Sequence, residues 1–136
     1  MKKLKIISFA VLALSLNSCR KDFAYVEPVA PPITTPVLFA TQVYPLLTAY
    51  GCDGCHTGGA PSNLDFASVT AAWTTLTASP TMVNTVAPSQ SDFYVSVNSA
   101  SGVPGGNGQM PMGGSPLSSS EQATILAWIT QGALNN

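Results

Sequence analysis

Apolar residues recur with a helical period in several stretches of this chain, and glycine and proline separate the stretches. We expect the first helix to begin near Thr35 and Pro36, a pair that suits a helix cap and first turn, and to end at Gly51. Pro45 lies inside this stretch and should kink or divide the helix, because proline has no backbone N–H to donate. The apolar stripe consists of Phe39, Val43, Leu46, Leu47 and Tyr50.

Two shorter helices are predicted in the middle of the chain. The segment from about Asp65 to Leu76 places several apolar residues on one side of a helix, namely Phe66, Val69, Ala72, Trp73 and Leu76. The segment from Ser91 to Val97 fits either a strand or a short helix, because its apolar residues match both periods. We favour the helix.

The last helix carries the clearest signals. Ser118 and Glu121 have the spacing of a capping box, and Gly132 lies near the expected end. The buried face is predicted to contain Ile125, Leu126, Trp128, Ile129 and Ala133. Residues 98–116 contain six glycines and three prolines and should form a loop. The pattern therefore predicts an all-α domain over residues 36–136, with three to five short helices and a thin core.

A chemical motif, Cys52-Asp-Gly-Cys55-His56, directly follows the first helix. Two thiols at this spacing can reach both vinyl groups of one porphyrin, and the next histidine can bind the iron. Cys52 and Cys55 are therefore the candidate thioether residues for one covalent haem c, and His56 is the candidate proximal iron ligand. A haem would also fill the centre of a fold whose helices alone give a thin core.

The strongest candidates for the second axial ligand of the iron are methionines. His56 is the only histidine, and the globular part has no lysine. Met110 has the best context, because it precedes Pro111 in a glycine-rich loop that can approach a flat ring closely. Met112 in the same loop is the alternative, and Met82 ranks third. The competing role for any methionine is flexible core packing.

Three other interpretations compete for the motif. A zinc site could use both cysteines and the histidine, but no fourth Cys or His ligand is available in the globular part. A thioredoxin-like redox pair should open a helix after a strand, whereas this motif follows a helix. A disulfide between Cys52 and Cys55 would explain neither His56 nor the methionine loop. The spacing favours haem c.

The start of the chain has the pattern of a bacterial lipoprotein signal peptide, residues 1–18, which ends in Leu16-Asn-Ser-Cys19. We expect Cys19 to be acylated and to anchor the protein to a bacterial membrane, on its periplasmic or cell-surface side. The alternative is an ordinary secretory signal that leaves Cys19 as a spare thiol. One lipidated cysteine and two haem thioethers would use all three cysteines. The proline-rich residues 19–35 should form an extended tether or a disordered arm.

Charge excludes one class of function. No basic side chain lies beyond Lys21, so from Cys19 onwards Arg20 and Lys21 stand against six acids and the net charge is −4. Those acids are Asp22, Glu27, Asp53, Asp65, Asp92 and Glu121. Nucleic-acid binding is excluded, because it requires Lys or Arg to neutralise phosphates. A partner attracted by charge should present a basic or neutral face.

The chain from Phe39 to Asn136 resembles the small class I cytochrome c domains, which are monohaem c-type cytochromes. Besides the haem motif and the helix before it, the likeness rests on Asn63-Leu-Asp-Phe66, Ser91-Asp-Phe-Tyr94, Gln109-Met-Pro-Met112, Leu117-Ser-Ser-Ser-Glu121 and Ala127-Trp-Ile-Thr-Gln-Gly-Ala133. The resemblance implies that Met110 is the sixth ligand of the iron. It also implies that the first and last helices cross, with Phe39 or Val43 against Trp128.

The expected function is electron transfer between redox partner proteins, with the iron cycling between Fe(II) and Fe(III) and with no catalytic residue. A haem closed by histidine and methionine suits this role, because both faces of the iron are occupied. The alternative is a haem enzyme or sensor with an open or displaceable sixth position, although the chain has no distal histidine or arginine to assist such chemistry. A subunit that relays electrons for a larger oxidoreductase is a third interpretation.

Overall fold

The computed structural model describes residues 31–59, 62–98 and 110–136. In these ranges lie the helices α1 (Tyr44–Ala49), α2 (Val69–Thr77), α3 (Asp92–Val97) and α4 (Ser119–Thr130). A π-helical turn, Phe39–Val43, leads into α1, and 3-10 turns cover Cys52–Gly54 and Pro88–Gln90. No strand occurs in the described ranges, so the predicted all-α class is confirmed for them.

The first helix begins at Phe39 rather than near Pro36. The backbone N–H of Val37 donates to Gln131 Oε1 (2.7 Å), and that of Phe39 donates to Asn136 Oδ1 (2.9 Å). The preceding residues are therefore held by contacts to distant residues instead of a helical turn. Pro45 is the second residue of α1, and its missing N–H accounts for the change from π to α bonding just before it. The predicted division of the helix at Pro45 is confirmed.

The middle helices confirm one prediction and correct another. Segment 91–97 is helical, as favoured. Helix α2, however, begins at Val69 rather than near Asp65. Asp65 Oδ1 accepts the N–H of Ala67 (3.0 Å), and Ser68 Oγ accepts the N–H of Ala71 (3.2 Å). These side-chain bonds replace helical backbone bonds before Ser68 and cap the helix at that residue.

Helix α4 has the predicted capping box, in which Ser118 and Glu121 each bind the other's backbone N–H. Its buried face differs from the prediction at one position, because Leu126 is only half-buried and Gln122 is buried instead. Gln122 can be buried because its Nε2 donates to the carbonyl of Leu117 (2.7 Å). The predicted helix crossing is confirmed for Phe39, whose ring centroid lies 4.9 Å from that of Trp128.

The predicted signal peptide and Cys19 lie outside the described residues, as does the tether up to residue 30. From the last part of the tether, Ile33 packs against the core. Within residues 31–59, 62–98 and 110–136, no helix has the length and apolar character needed to cross a membrane.

Candidate functional site

The motif Cys52-Asp-Gly-Cys55-His56 begins shortly after α1, where Gly51 turns the chain. Gly51 has a φ of +67°, a left-handed conformation that glycine adopts without steric cost. The next residues form the 3-10 turn Cys52–Gly54, and the carbonyl of Cys52 accepts the N–H groups of both Cys55 (3.2 Å) and His56 (2.8 Å). The motif is thus wound into one tight turn, which holds both thiols and the imidazole in one region.

A cavity of about 580 Å³ opens beside this turn, and its walls are mostly apolar. This volume lies within the range of about 300–1,000 Å³ that is typical of cofactor pockets. Its lining comes from the end of α1, the motif, α3 and the loop before α4. The lining residues are Leu47, Tyr50, Gly51, Cys52, Cys55, His56, Leu64, Phe66, Phe93, Ser96, Val97, Met110, Pro111, Met112, Gly113 and Gly114.

Both thiols of the motif are free and reach the cavity at different depths. Cys52 is half-buried, whereas Cys55 is exposed. Burial, and next to it the negative charge of Asp53, raises the pKa of the Cys52 thiol. Cys52 is therefore kept as a protonated thiol at neutral pH. Two unpaired thiols on one cavity wall are the arrangement that two thioether bonds to a single ligand would need.

His56 is held firmly in the cavity wall. Its side chain is buried, and its ring centroid lies 5.3 Å from that of Phe66. The carbonyl of His56 accepts the N–H of Phe66 (2.7 Å). A backbone hydrogen bond and a ring contact therefore both hold His56 against Phe66. A fixed, buried imidazole is suited to bind a metal in an apolar environment.

The three methionines outside the signal sequence have different surroundings. Met110 lines the cavity, is half-buried against the core, and donates its backbone N–H to the carbonyl of Ser96 (2.8 Å). Met112 also lines the cavity, but its side chain is 78% exposed. Met82 packs against the core and is not among the lining residues. Of the three, only Met110 is both at the cavity and packed by its neighbours.

Sequence reasoning missed a polar link beside the site. The hydroxyl of Tyr50, which lines the cavity, donates to Glu121 Oε2 (2.6 Å), and Glu121 also accepts from the N–H (2.8 Å) and hydroxyl of Ser118. Burial would by itself raise the pKa of Glu121, but the hydrogen bonds from Ser118 and Tyr50 outweigh it and hold this pKa below its usual value. The capping box was visible in the sequence. Tyr50, however, counted only as part of an apolar stripe.

Sequence reasoning also gave α3 no role at the site. Phe93, Ser96 and Val97 line the cavity, and the carbonyl of Ser96 positions Met110. The hydroxyl of Ser96 donates to the carbonyl of Phe93 (2.8 Å), so it adds little polarity to the cavity. No sequence signal connected α3 to the methionine loop, because the two come together only in the folded chain.

The donor set in the cavity fits a covalent haem better than an isolated metal ion. In the described part of the chain, no three His, Cys, Asp or Glu side chains come together in a way that could hold a metal ion. Two thiols, one imidazole and one thioether around an apolar space are instead the groups that attach and ligate haem c. The apolar lining also matches the faces of a porphyrin.

Comparison with known proteins gives no relative for this chain. No protein family, no curated protein and no solved structure matches it.

Proposed function

We propose that this protein is a monohaem c-type cytochrome of the class I type and that it carries electrons between redox partners. One observation supports the proposal most strongly: a single apolar cavity is lined by Cys52, Cys55, His56 and Met110. Cys52 and Cys55 would hold the haem covalently, and His56 and Met110 would bind its iron. When bound, the haem supplies a one-electron Fe(II)/Fe(III) couple.

The protein's own contribution is to hold the ligands and to exclude water. Phe66 packs on His56 and keeps its imidazole at the wall of the cavity. The carbonyl of Ser96 accepts the backbone N–H of Met110 and so restrains the backbone of the residue that would bind the iron. Buried apolar residues, among them Leu47, Leu64, Phe66, Phe93 and Val97, line the space and keep its dielectric constant low. A thioether ligand in such a pocket favours the ferrous state.

Lipid attachment at Cys19 is part of the proposal. It rests on the sequence alone, from the signal pattern of residues 1–18. The anchor would keep the cytochrome at a bacterial membrane, facing the periplasm or the cell surface. Growth with a labelled fatty acid should label the wild type and not a Cys19→Ala variant, and an unlabelled wild type or a labelled variant would contradict the proposal.

The deciding experiment is co-expression of the full chain with a cytochrome c maturation system. We expect haem to remain bound under denaturing conditions, and we expect a Cys52→Ser/Cys55→Ser variant to lose it. The spectrum of the purified protein should be low-spin in both oxidation states. A high-spin spectrum would favour the enzyme or sensor interpretation. No covalent haem in the wild-type chain would overturn the proposal.

A further inference from the structure

The mouth of the cavity has an exposed rim without any charged side chain. The rim consists of Gly51, Cys55, Met112, Gly113 and Gly114, which line the cavity and are exposed. Large exposed hydrophobic side chains in the described ranges are Leu38, Val86, Met112 and Leu134, and of these only Met112 lines the cavity. Met112 therefore presents an exposed apolar side chain at the rim of the cavity.

Two carboxylates, those of Asp53 and Glu121, lie next to residues that line the cavity. Asp53 stands in the motif turn, and its charge acts on the neighbouring Cys52. The carboxylate of Glu121 is bound to the hydroxyl of Tyr50, which lines the cavity. The chain has no Lys or Arg beyond Lys21, so the described ranges contain no basic side chain other than His56.

We propose that the rim docks a redox protein whose contact face is apolar at its centre and basic around it. The proposal rests on the proposed function, because it names the partner of the same site. An apolar centre on the partner would cover Met112, and surrounding basic residues would face Asp53 and Glu121. A second copy of this chain would dock poorly on the rim, because the carboxylates near the rim of each copy would repel those of the other.

The chain offers a matched pair of positions to test this docking site. Met112 and Val86 are both exposed hydrophobic residues, at 78% and 94%, but only Met112 lies on the rim. Met112→Lys and Val86→Lys change the net charge equally. Any effect of overall charge is therefore shared, and a difference between the variants reports on the rim.

The first measurement is the oxidation rate of the ferrous haem protein at low ionic strength. The probes are tris(phenanthroline)cobalt(III), an apolar cation, and ferricyanide, an anion. We expect the wild-type rate with the cobalt complex to fall as salt is added. Met112→Lys should slow the cobalt reaction about tenfold, whereas Val86→Lys should change it less than about twofold. Ferricyanide should show the opposite salt dependence.

The second measurement is binding without electron transfer. Tris(phenanthroline)chromium(III) is a redox-inert paramagnetic analogue of the cobalt complex and broadens the NMR signals of nearby amides. We expect broadening at Gly51, Cys55 and residues 112–114, reduced by Met112→Lys. Hexacyanochromate(III), an anion, should leave these signals sharp.

Failure of the docking proposal can be told apart from failure of the proposed function. Equal effects of Met112→Lys and Val86→Lys, or broadening away from the rim, would overturn the docking site while the protein still carried haem. If the rate of oxidation by the cobalt complex rises with added salt, the proposal that the partner is basic would be overturned. Loss of the methionine–iron charge-transfer band in Met112→Lys would make Met112 an iron ligand and overturn its role in docking. Absence of covalent haem in the wild type would overturn both proposals.

Discussion

Met110 and Met112 are two residues apart in sequence but differ in what their side chains can do. Met110 is restrained by the carbonyl of Ser96 and packs against the core, whereas Met112 is largely exposed. A metal ligand must be held in place, because ordering a free side chain costs conformational entropy. If the protein binds haem as we propose, these contacts favour Met110 over Met112 as the residue that would bind the iron.

We expect Met110→Ala to lose the weak methionine–iron charge-transfer band of the oxidised protein, and Met112→Ala to keep it. The reduction potential of Met110→Ala should also fall, because thioether ligation raises the potential of the couple. Met82→Ala is the matched control, since Met82 packs against the core away from the cavity lining. A band that is lost only in Met112→Ala would assign the ligand to the other methionine.

Tyr50 donates to a charged acceptor, Glu121, whereas Tyr44 donates to a neutral one, the carbonyl of Phe66 (3.3 Å). Removing either hydroxyl should lower the free energy of unfolding by about 1 kcal/mol at pH 7. The two losses should differ in pH dependence. The pKa of Glu121 is lower in the folded protein, so its contribution is present above its unfolded pKa, near 4.5, and is lost as the pH falls through the folded value.

Urea unfolding of Tyr50→Phe and Tyr44→Phe at pH 7 and at a series of decreasing pH values below 4.5 tests this difference. The deficit of Tyr50→Phe relative to wild type should shrink in acid, because protonated Glu121 accepts a weaker hydrogen bond. The deficit of Tyr44→Phe should stay constant. A Tyr50→Phe deficit that does not change with pH would contradict the assigned link.

At the scale of a secondary-structure element, α4 depends on its capping box. Ser118→Ala removes the hydroxyl that accepts the N–H of Glu121 (3.4 Å) and donates to its carboxylate. We expect a loss of about 1 kcal/mol in the free energy of unfolding. Ser89→Ala, at an exposed position in a 3-10 turn, is the control and should be neutral. Equal losses in both variants would show that the cap contributes nothing specific.

The sequence predicted elements best where local chemistry determines them. The capping box of α4 and the break at Pro45 depend on neighbouring residues, and both were predicted correctly. The start of the first helix was wrong because the N–H groups of Val37 and Phe39 bind Gln131 and Asn136. Such partners, more than ninety positions away along the chain, leave no local pattern.

The candidate site shows the same difference between features set by neighbouring residues and features set by distant contacts. The spacing of Cys52, Cys55 and His56 is local, so the sequence alone named all three residues. The links from Ser96 to Met110 and from Tyr50 to Glu121 join separate elements. Their residues were visible in the sequence, but nothing in it showed that they meet.

At the scale of the whole molecule, the cavity is large for so small a domain. The walls of this cavity are mostly apolar, so without a ligand they are exposed to water that enters through the open mouth. Covering apolar surface is the main favourable contribution to folding, and a small domain is stable by only about 5–15 kcal/mol in total. A ligand that fills the cavity should therefore stabilise the fold.

We therefore expect the Cys52→Ser/Cys55→Ser variant without haem to have less helix by circular dichroism and no cooperative thermal transition in the range typical of small domains. The wild type with haem should unfold cooperatively at a higher temperature. A chain purified from cells without maturation enzymes is the control for the two substitutions, since it retains both cysteines. A cooperative, fully helical haem-free protein would contradict the role of the haem in the core.

Asn136 holds the start of the first helix, and this contact bears on the order in which the fold would be completed. Its side chain and carbonyl accept the N–H groups of Phe39 (2.9 Å) and Ala40 (2.9 Å), so the start of the first helix is completed by a residue made long after it. Because the proposed signal peptide would export the chain from its N-terminal end, the two thiols would cross the membrane while this closure is still missing. An attachment enzyme would thus meet Cys52 and Cys55 on an open chain. The arrival of Asn136 would then close the fold over a group already in place.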